Sequence, residues 1–142
     1  MSVFLAMLCA SCSPIAEPVP IPAACTVTDG DTVRCGDERV RLLAIDAPEL
    51  PGHCRAGRRC APGDPVAATD SLRAAMQSGP IRIIRMGRDR YGRTLGSVYA
   101  GEVNLSCLQI QTGNAVYVRR WDDGKVIAKT CPEITGEGSP PG

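Results

Sequence analysis

The sequence predicts an α+β chain, mainly β: a five-stranded barrel of the OB type with two to three helices. Two observations predict it. Five short runs of strand character follow the order three strands, helix, two strands, helix, tail. Turn-forming glycines and prolines separate them, which suits a small Greek-key barrel with one interposed helix.

Residues 24–28 and 32–35 read as a hairpin turned at "DGD", with Gly30 allowing the turn. "ERVRLLAI" (38–45) is the third strand. Arg41, Leu43 and Ile45 share one face, and Val40, Leu42 and Ala44 the other. On a flat strand Arg41 and Asp46 point to opposite faces, so the chain must bend or bulge between them if both serve one site. Pro48 agrees that the ladder stops there. "GDPVAATDSLRAAMQSG" (63–79) is a helix with Asp64 as N-cap, Pro65 in the first turn and Gly79 past its end. Val66, Leu72, Met76 and the alanines form its expected buried stripe. "PIRIIRM" and "TLGSVYA" are strands joined by the basic turn "GRDRYGR". "EVNLSCLQIQTG" (102–113) is a second helix, with Val103, Cys107, Leu108 and Ile110 expected inward. "NAVYVRRWDDGKVIAKTC" reads as a short strand and then a weak helix.

The ends differ from this middle. Residues 1–12 read as an export signal or lipoprotein leader, residues 13–23 as a proline-rich linker, 24–134 as the domain, and 135–142 as a disordered tail. "MSVFLAMLCASC" is too short to span a membrane and resembles the end of a secretory apolar region. Its "CASC" looks like a bacterial lipoprotein box with Cys12 lipidated, although Cys9 stands where Leu is usual and no Lys or Arg precedes the apolar run. The expected location is therefore exported: periplasm, outer-membrane lipoprotein or secreted.

Eight cysteines in 142 residues favour an oxidising compartment. With Cys9 and Cys12 in the leader, six remain. Cys25 and Cys35 would face each other across the hairpin, and Cys54 and Cys60 would close a small loop. Cys107 and Cys131 would then tie a helix to the C-terminal segment. A zinc site on His53, Cys54 and Cys60 is the rival, disfavoured by the single His.

A net charge of +1 excludes a chain that binds as a polyelectrolyte throughout, but the charge is unevenly placed. Fourteen of the 16 basic residues are Arg. Five (Arg82, Arg85, Arg88, Arg90, Arg93) fall in "RIIRMGRDRYGR", and Arg55, Arg58 and Arg59 in "RAGRR". A planar guanidinium suits phosphate oxygens better than an ammonium does.

The acids are gathered in "TDGDTVRCGDERVRLLAIDAPE". Neighbouring carboxylates repel and lose hydration, so something must compensate them. Asp31 and Asp46 are the natural ligand pair, with the Ala47 carbonyl turned toward the same ion. Hard oxygen donors select Ca2+ or Mg2+. Glu49, three residues past Asp46, can stay off the metal and accept a proton from water. Arg41 and an arginine of the basic turn can stabilise charge on an attacked phosphorus. Singly, each has a plainer reading: Asp29 and Asp31 as turn formers, Arg41 as an edge charge, Glu49 as a solvated loop residue, Arg93 as a hairpin charge.

"DGDTV", "RLLAIDAPE", "DRYGRTLGSVY", a "VN" helix start and "QTGNAVYV", in that order, resemble the staphylococcal nuclease (thermonuclease) family over about 27–118. The resemblance implies an OB-type barrel with three helices and a calcium-dependent phosphodiesterase cutting DNA and RNA. It implies one Ca2+ on Asp31, Asp46 and the main chain of Ala47, where the family often has Thr. It further implies Glu49 as general base, Arg41 and Arg93 on phosphate, and Tyr91 on the nucleotide, with Arg90 beside it. The family's stacking aromatic corresponds to Tyr117 or Trp121. Beyond Gly113 the likeness fades, the last helix is short, and the cysteine pairs are extra. The expected products carry 3′-phosphates, from single strands in preference to duplex. A monomer with nucleic acid as substrate and no protein partner is expected. The alternative is a non-catalytic OB-type module that binds nucleic acid or serves as an envelope interaction protein.

Overall fold

The computed structural model describes residues 16–136. The leader with Cys12, the first linker residues and positions 137–142 lie outside the described residues. Among those described, no helix is long and apolar enough to cross a membrane.

The architecture is α+β, mainly β, of the OB type. Strands are β1 (Val19–Pro20), β2 (Cys25–Asp29), β3 (Thr32–Cys35), β4 (Glu38–Leu42), β5 (Ile45–Asp46), β6 (Ile81–Arg88), β7 (Thr94–Ala100), β8 (Val103–Asn104) and β9 (Val116–Tyr117). Helices are α1 (Pro65–Ala75), α2 (Leu105–Gln111), α3 (Val126–Thr130) and α4 (Pro132–Thr135). The hydrogen-bonded path runs β1-β6-β7-β4-β3-β2, with β8 added to β7 and a separate β5-β9 pair. The five long strands are those read from the sequence. β4 and β7 are parallel and the other pairs antiparallel.

The expected third strand divides in two. Ala44 takes φ 62°, a left-handed conformation that breaks the two-residue alternation between β4 and β5. This bulge brings Asp46 to the side of Arg41. The expected linker is in part a docked edge strand: Val19 and Pro20 pair with Ile83 and Arg82. Proline is tolerated there because an edge strand can spare an N–H.

α1 is capped as expected, with the Asp64 carboxylate accepting from the Val66 and Ala67 amides. Its buried face is Ala68, Thr69, Leu72 and Ala75, whereas Val66 is 57% exposed. Val66 lies well over 90° around the helix from that face, and small side chains set the approach. A Cβ on Gly30 would stand 2.7 Å from Ala68 Cβ and 2.8 Å from Ala47 Cβ. Gly30 thus lets α1 sit directly on the hairpin turn. In α2, capped by Asn104, the fully buried residues are Leu105, Ser106 and Gln109. Cys107, Leu108 and Ile110, expected inward, are half-buried at the two core clusters. Gln109 Nε2 donates to the carbonyls of Gly30 (2.7 Å) and Ala68 (2.9 Å), joining α2, α1 and the turn.

Three disulfides join Cys25 to Cys35, Cys54 to Cys60 and Cys107 to Cys131. Cys25 and Cys35 are register partners across β2 and β3, as the hairpin reading requires.

Candidate active site

A turn and a bulge build the acid cluster: the turn at Gly30 delivers Asp31, and the bulge at Ala44 delivers Asp46. Arg41 stands between them from β4. Its Nη1 donates to Asp31 Oδ1 (3.2 Å) and its Nη2 to Asp46 Oδ1 (3.2 Å) and the Ile45 carbonyl (3.3 Å). Asp31 also accepts from Thr32 Oγ1 (3.0 Å) and the Ala47 amide (2.9 Å). Asp31, Arg41 and Asp46 are 4%, 9% and 7% exposed, so each charge depends on its partners for lost hydration. Asp29, beside them, has its carboxyl pushed up to about 6, first by burial and then by the Asp31 carboxylate.

Glu49 sits at the half-buried rim. Arg58, from the Cys54–Cys60 loop, donates Nη1 to Glu49 Oε1 (3.1 Å) and Nη2 to Asp46 Oδ1 (3.2 Å). One guanidinium therefore joins Glu49 to Asp46. The same loop reaches the basic turn, where Arg55 Nη1 donates to Tyr91 Oη (3.1 Å) and its guanidinium lies 5.3 Å from the ring centroid. Arg90 and Arg93 flank the same ring at 4.9 and 5.4 Å. Arg93 is held within its own turn, with Nε 2.7 Å from Asp89 Oδ2, and makes no ion pair with Asp31, Asp46 or Glu49. Arg90 donates to Tyr91 Oη at 2.8 Å.

Of the two candidate aromatics, Trp121 lies against the acid cluster, with Arg41 5.3 Å from its ring centroid. The Tyr117 side chain packs on the second core cluster and donates its hydroxyl to Asp122 Oδ2 (2.8 Å). Sequence reasoning read "RAGRR" only as a basic cluster suited to phosphate and gave Arg55 and Arg58 no individual partners.

Among the described residues no group of three or more His, Cys, Asp and Glu side chains is placed to hold a metal ion. The Asp31 and Asp46 carboxylates nevertheless converge on one positive charge, the Arg41 guanidinium. Such a donor set fits a hard divalent cation in kind, with main-chain carbonyls and water completing it. It does not fit zinc, since Cys54 and Cys60 are disulfide-bonded.

Similar proteins carry the same region. Over 102 residues the chain is 37% identical to the succinoglycan biosynthesis protein ExoI of Rhizobium meliloti (strain 1021), covering 68% of this chain and 52% of that protein. It is 31% identical over 106 residues to an uncharacterized endonuclease of Escherichia coli O157:H7, covering 71% and 63%. A further uncharacterized endonuclease, of Haemophilus influenzae (strain ATCC 51907 / DSM 11121 / KW20 / Rd), is 34% identical over 117 residues, covering 79% and 60%. The chain thus spans between about half and two thirds of the length of these curated relatives. Residues 39–131 match the family model described as staphylococcal nuclease homologue. Arg41, Asp46, Ala47, Glu49, Tyr91 and Arg93 fall inside that match and Asp31 precedes it. On this evidence of sequence and architecture, the chain belongs to the staphylococcal nuclease homologue family.

Proposed function

We propose that this chain is an exported, calcium-dependent nuclease that hydrolyses phosphodiester bonds of DNA and RNA, single strands above duplex. The observation that carries the reading is the alternation of acids and guanidiniums in one cluster. Arg41 spans Asp31 and Asp46, and Arg58 spans Asp46 and Glu49. Two relatives are named endonucleases, which supports the same class of chemistry.

Glu49 is the general base, because it is the carboxylate at the rim, where water has access. It takes a proton from the water that adds to phosphorus. The bond to the 5′ oxygen then breaks, that oxygen takes up a proton from solvent, and a 3′-phosphate end remains. Arg41 and Arg93 stabilise charge on the non-bridging oxygens. Asp31, Asp46 and the Ala47 carbonyl would hold Ca2+, which supplies a fixed positive charge against a phosphate oxygen when bound. Tyr91 and Trp121 offer faces to bases, with Arg90 beside Tyr91 on the backbone.

Three disulfides support an oxidising location, and the apolar start ending at Cys12 supports export with a lipid anchor there. If Cys12 is lipidated, Cys12→Ser should shift the protein from the membrane to the soluble envelope fraction.

Incubation with single-stranded DNA tests the activity. Cleavage is expected with Ca2+, should stop on chelation and should resume on re-addition, with 3′-phosphate ends on the products. A folded chain that binds the strand and leaves it intact would instead be the non-catalytic module.

A further inference from the structure

The loop 51–59 is exposed throughout, so its disulfide closes no part of the core. Between Cys54 and Cys60 it carries three arginines and no acid. Exposed ion pairs contribute only about 0–1 kcal/mol, so stability alone does not account for this composition. Two of the three guanidiniums reach separate groups outside the loop. Arg58, with a side chain 40% exposed, reaches Asp46 and Glu49, while Arg55 reaches the hydroxyl and ring of Tyr91. Without Arg58, the carboxylates of Asp31, Asp46 and Glu49 would face one guanidinium, and an approaching phosphodiester would be repelled.

Resting on the nuclease reading, we propose that the disulfide-closed loop 54–60 is a second nucleic-acid grip, in which Arg55 and Arg58 bind the backbone phosphates flanking the one that is cleaved. Each guanidinium has five donors in a planar fork and keeps some for phosphate oxygens while bound to its protein partner. The Cys54–Cys60 bond fixes the spacing of the two forks before substrate arrives. Preorganisation of this kind raises affinity by reducing the ordering that binding requires. Arg55 and Arg58 are thus substrate-positioning residues.

The test is fluorescence anisotropy of a labelled oligothymidylate with chelator present, so that no cleavage occurs, across a series of salt concentrations. For Arg55→Ala/Arg58→Ala, binding should weaken about tenfold or more. The slope of log affinity against log salt should fall by about 1.4, from roughly 0.7 for each lost single-strand phosphate contact. Cys54→Ser/Cys60→Ser keeps both charges, so its slope should stay near that of the unmodified protein while affinity falls several-fold. An unchanged slope in the arginine variant would overturn the grip, and with a lowered melting temperature it would make the two arginines structural pins. An unmodified chain that is folded but neither binds the oligonucleotide with chelator nor cleaves it with Ca2+ would overturn the nuclease reading and the grip together, and one that cleaves with Ca2+ without binding under chelator would overturn the grip alone. Cleavage by the unmodified chain, with unchanged binding by the arginine variant, would overturn the grip alone.

Discussion

The two banks of the site hold their charges in opposite ways. On the acid bank, Asp31, Arg41 and Asp46 are buried in the sheet, and each hydrogen bond replaces hydration that has been lost. On the basic bank, Arg55, Arg90 and Tyr91 are exposed on a loop and a turn, and water competes for every contact. The first arrangement fixes geometry at a cost in desolvation. The second leaves donors available to a phosphate backbone. On the proposed reading, charge that holds a cation is built into the core, and charge that meets a long, variable ligand stays outside it.

If that contrast is right, substitutions on the two banks should differ first in stability. Arg41→Ala leaves two buried carboxylates without their shared partner and should cost about 3–5 kcal/mol in urea unfolding. Arg90→Ala, on the basic bank, should change stability by less than about 0.5 kcal/mol. Comparable losses in the two variants would remove the distinction. A smaller effect is expected at the hinge of the acid bank. Gly30→Ala brings a methyl within 3 Å of Ala47 and Ala68, and should cost about 1–3 kcal/mol by pushing α1 off the turn. A melting temperature equal to that of the parent would show that α1 can yield there.

A small, pH-dependent effect sharpens the contrast at the surface. Hydrogen bonds from Arg85, at 3.0 and 2.8 Å, hold the Glu38 carboxyl below its ordinary value of 4.5. A depressed folded value means the stabilisation is present above the unfolded value and is lost as pH falls through the folded one. Glu38→Gln should therefore cost less than about 1 kcal/mol at pH 7, with the gap closing as pH drops below the carboxylate range. A gap that persists in acid would point to packing rather than charge.

The acid bank was legible in the sequence because its parts are local. Placing Arg41 and Asp46 in one site requires a bend between them, the proline after "IDA" agrees that the strand stops there, and Ala44 supplies the bend. The basic bank was legible in composition and not in contacts. Arg55 and Tyr91 are 36 residues apart, and only the folded chain brings them together. The packing of Trp121 on Arg41 was not legible for the same reason, since the two residues are far apart in the sequence. Val66 misled because apolar spacing marks a stripe, while the packed face of α1 includes Ala68, which fits against Gly30. Gln109 was missed because a buried amide resembles a surface residue until its two carbonyl partners are known.

The separation of ligand from base is tested most directly by Glu49→Gln, with calorimetric titration of Ca2+ beside rates of single-strand cleavage. Asp31 and Asp46 remain in place, so Ca2+ and oligonucleotide affinities should stay within a small factor of the unmodified protein. Turnover should fall by about 10²-fold or more, as expected for the loss of a general base. Normal cleavage by Glu49→Gln would contradict the assignment of the base. Failure of the unmodified chain to bind Ca2+ would contradict the site itself.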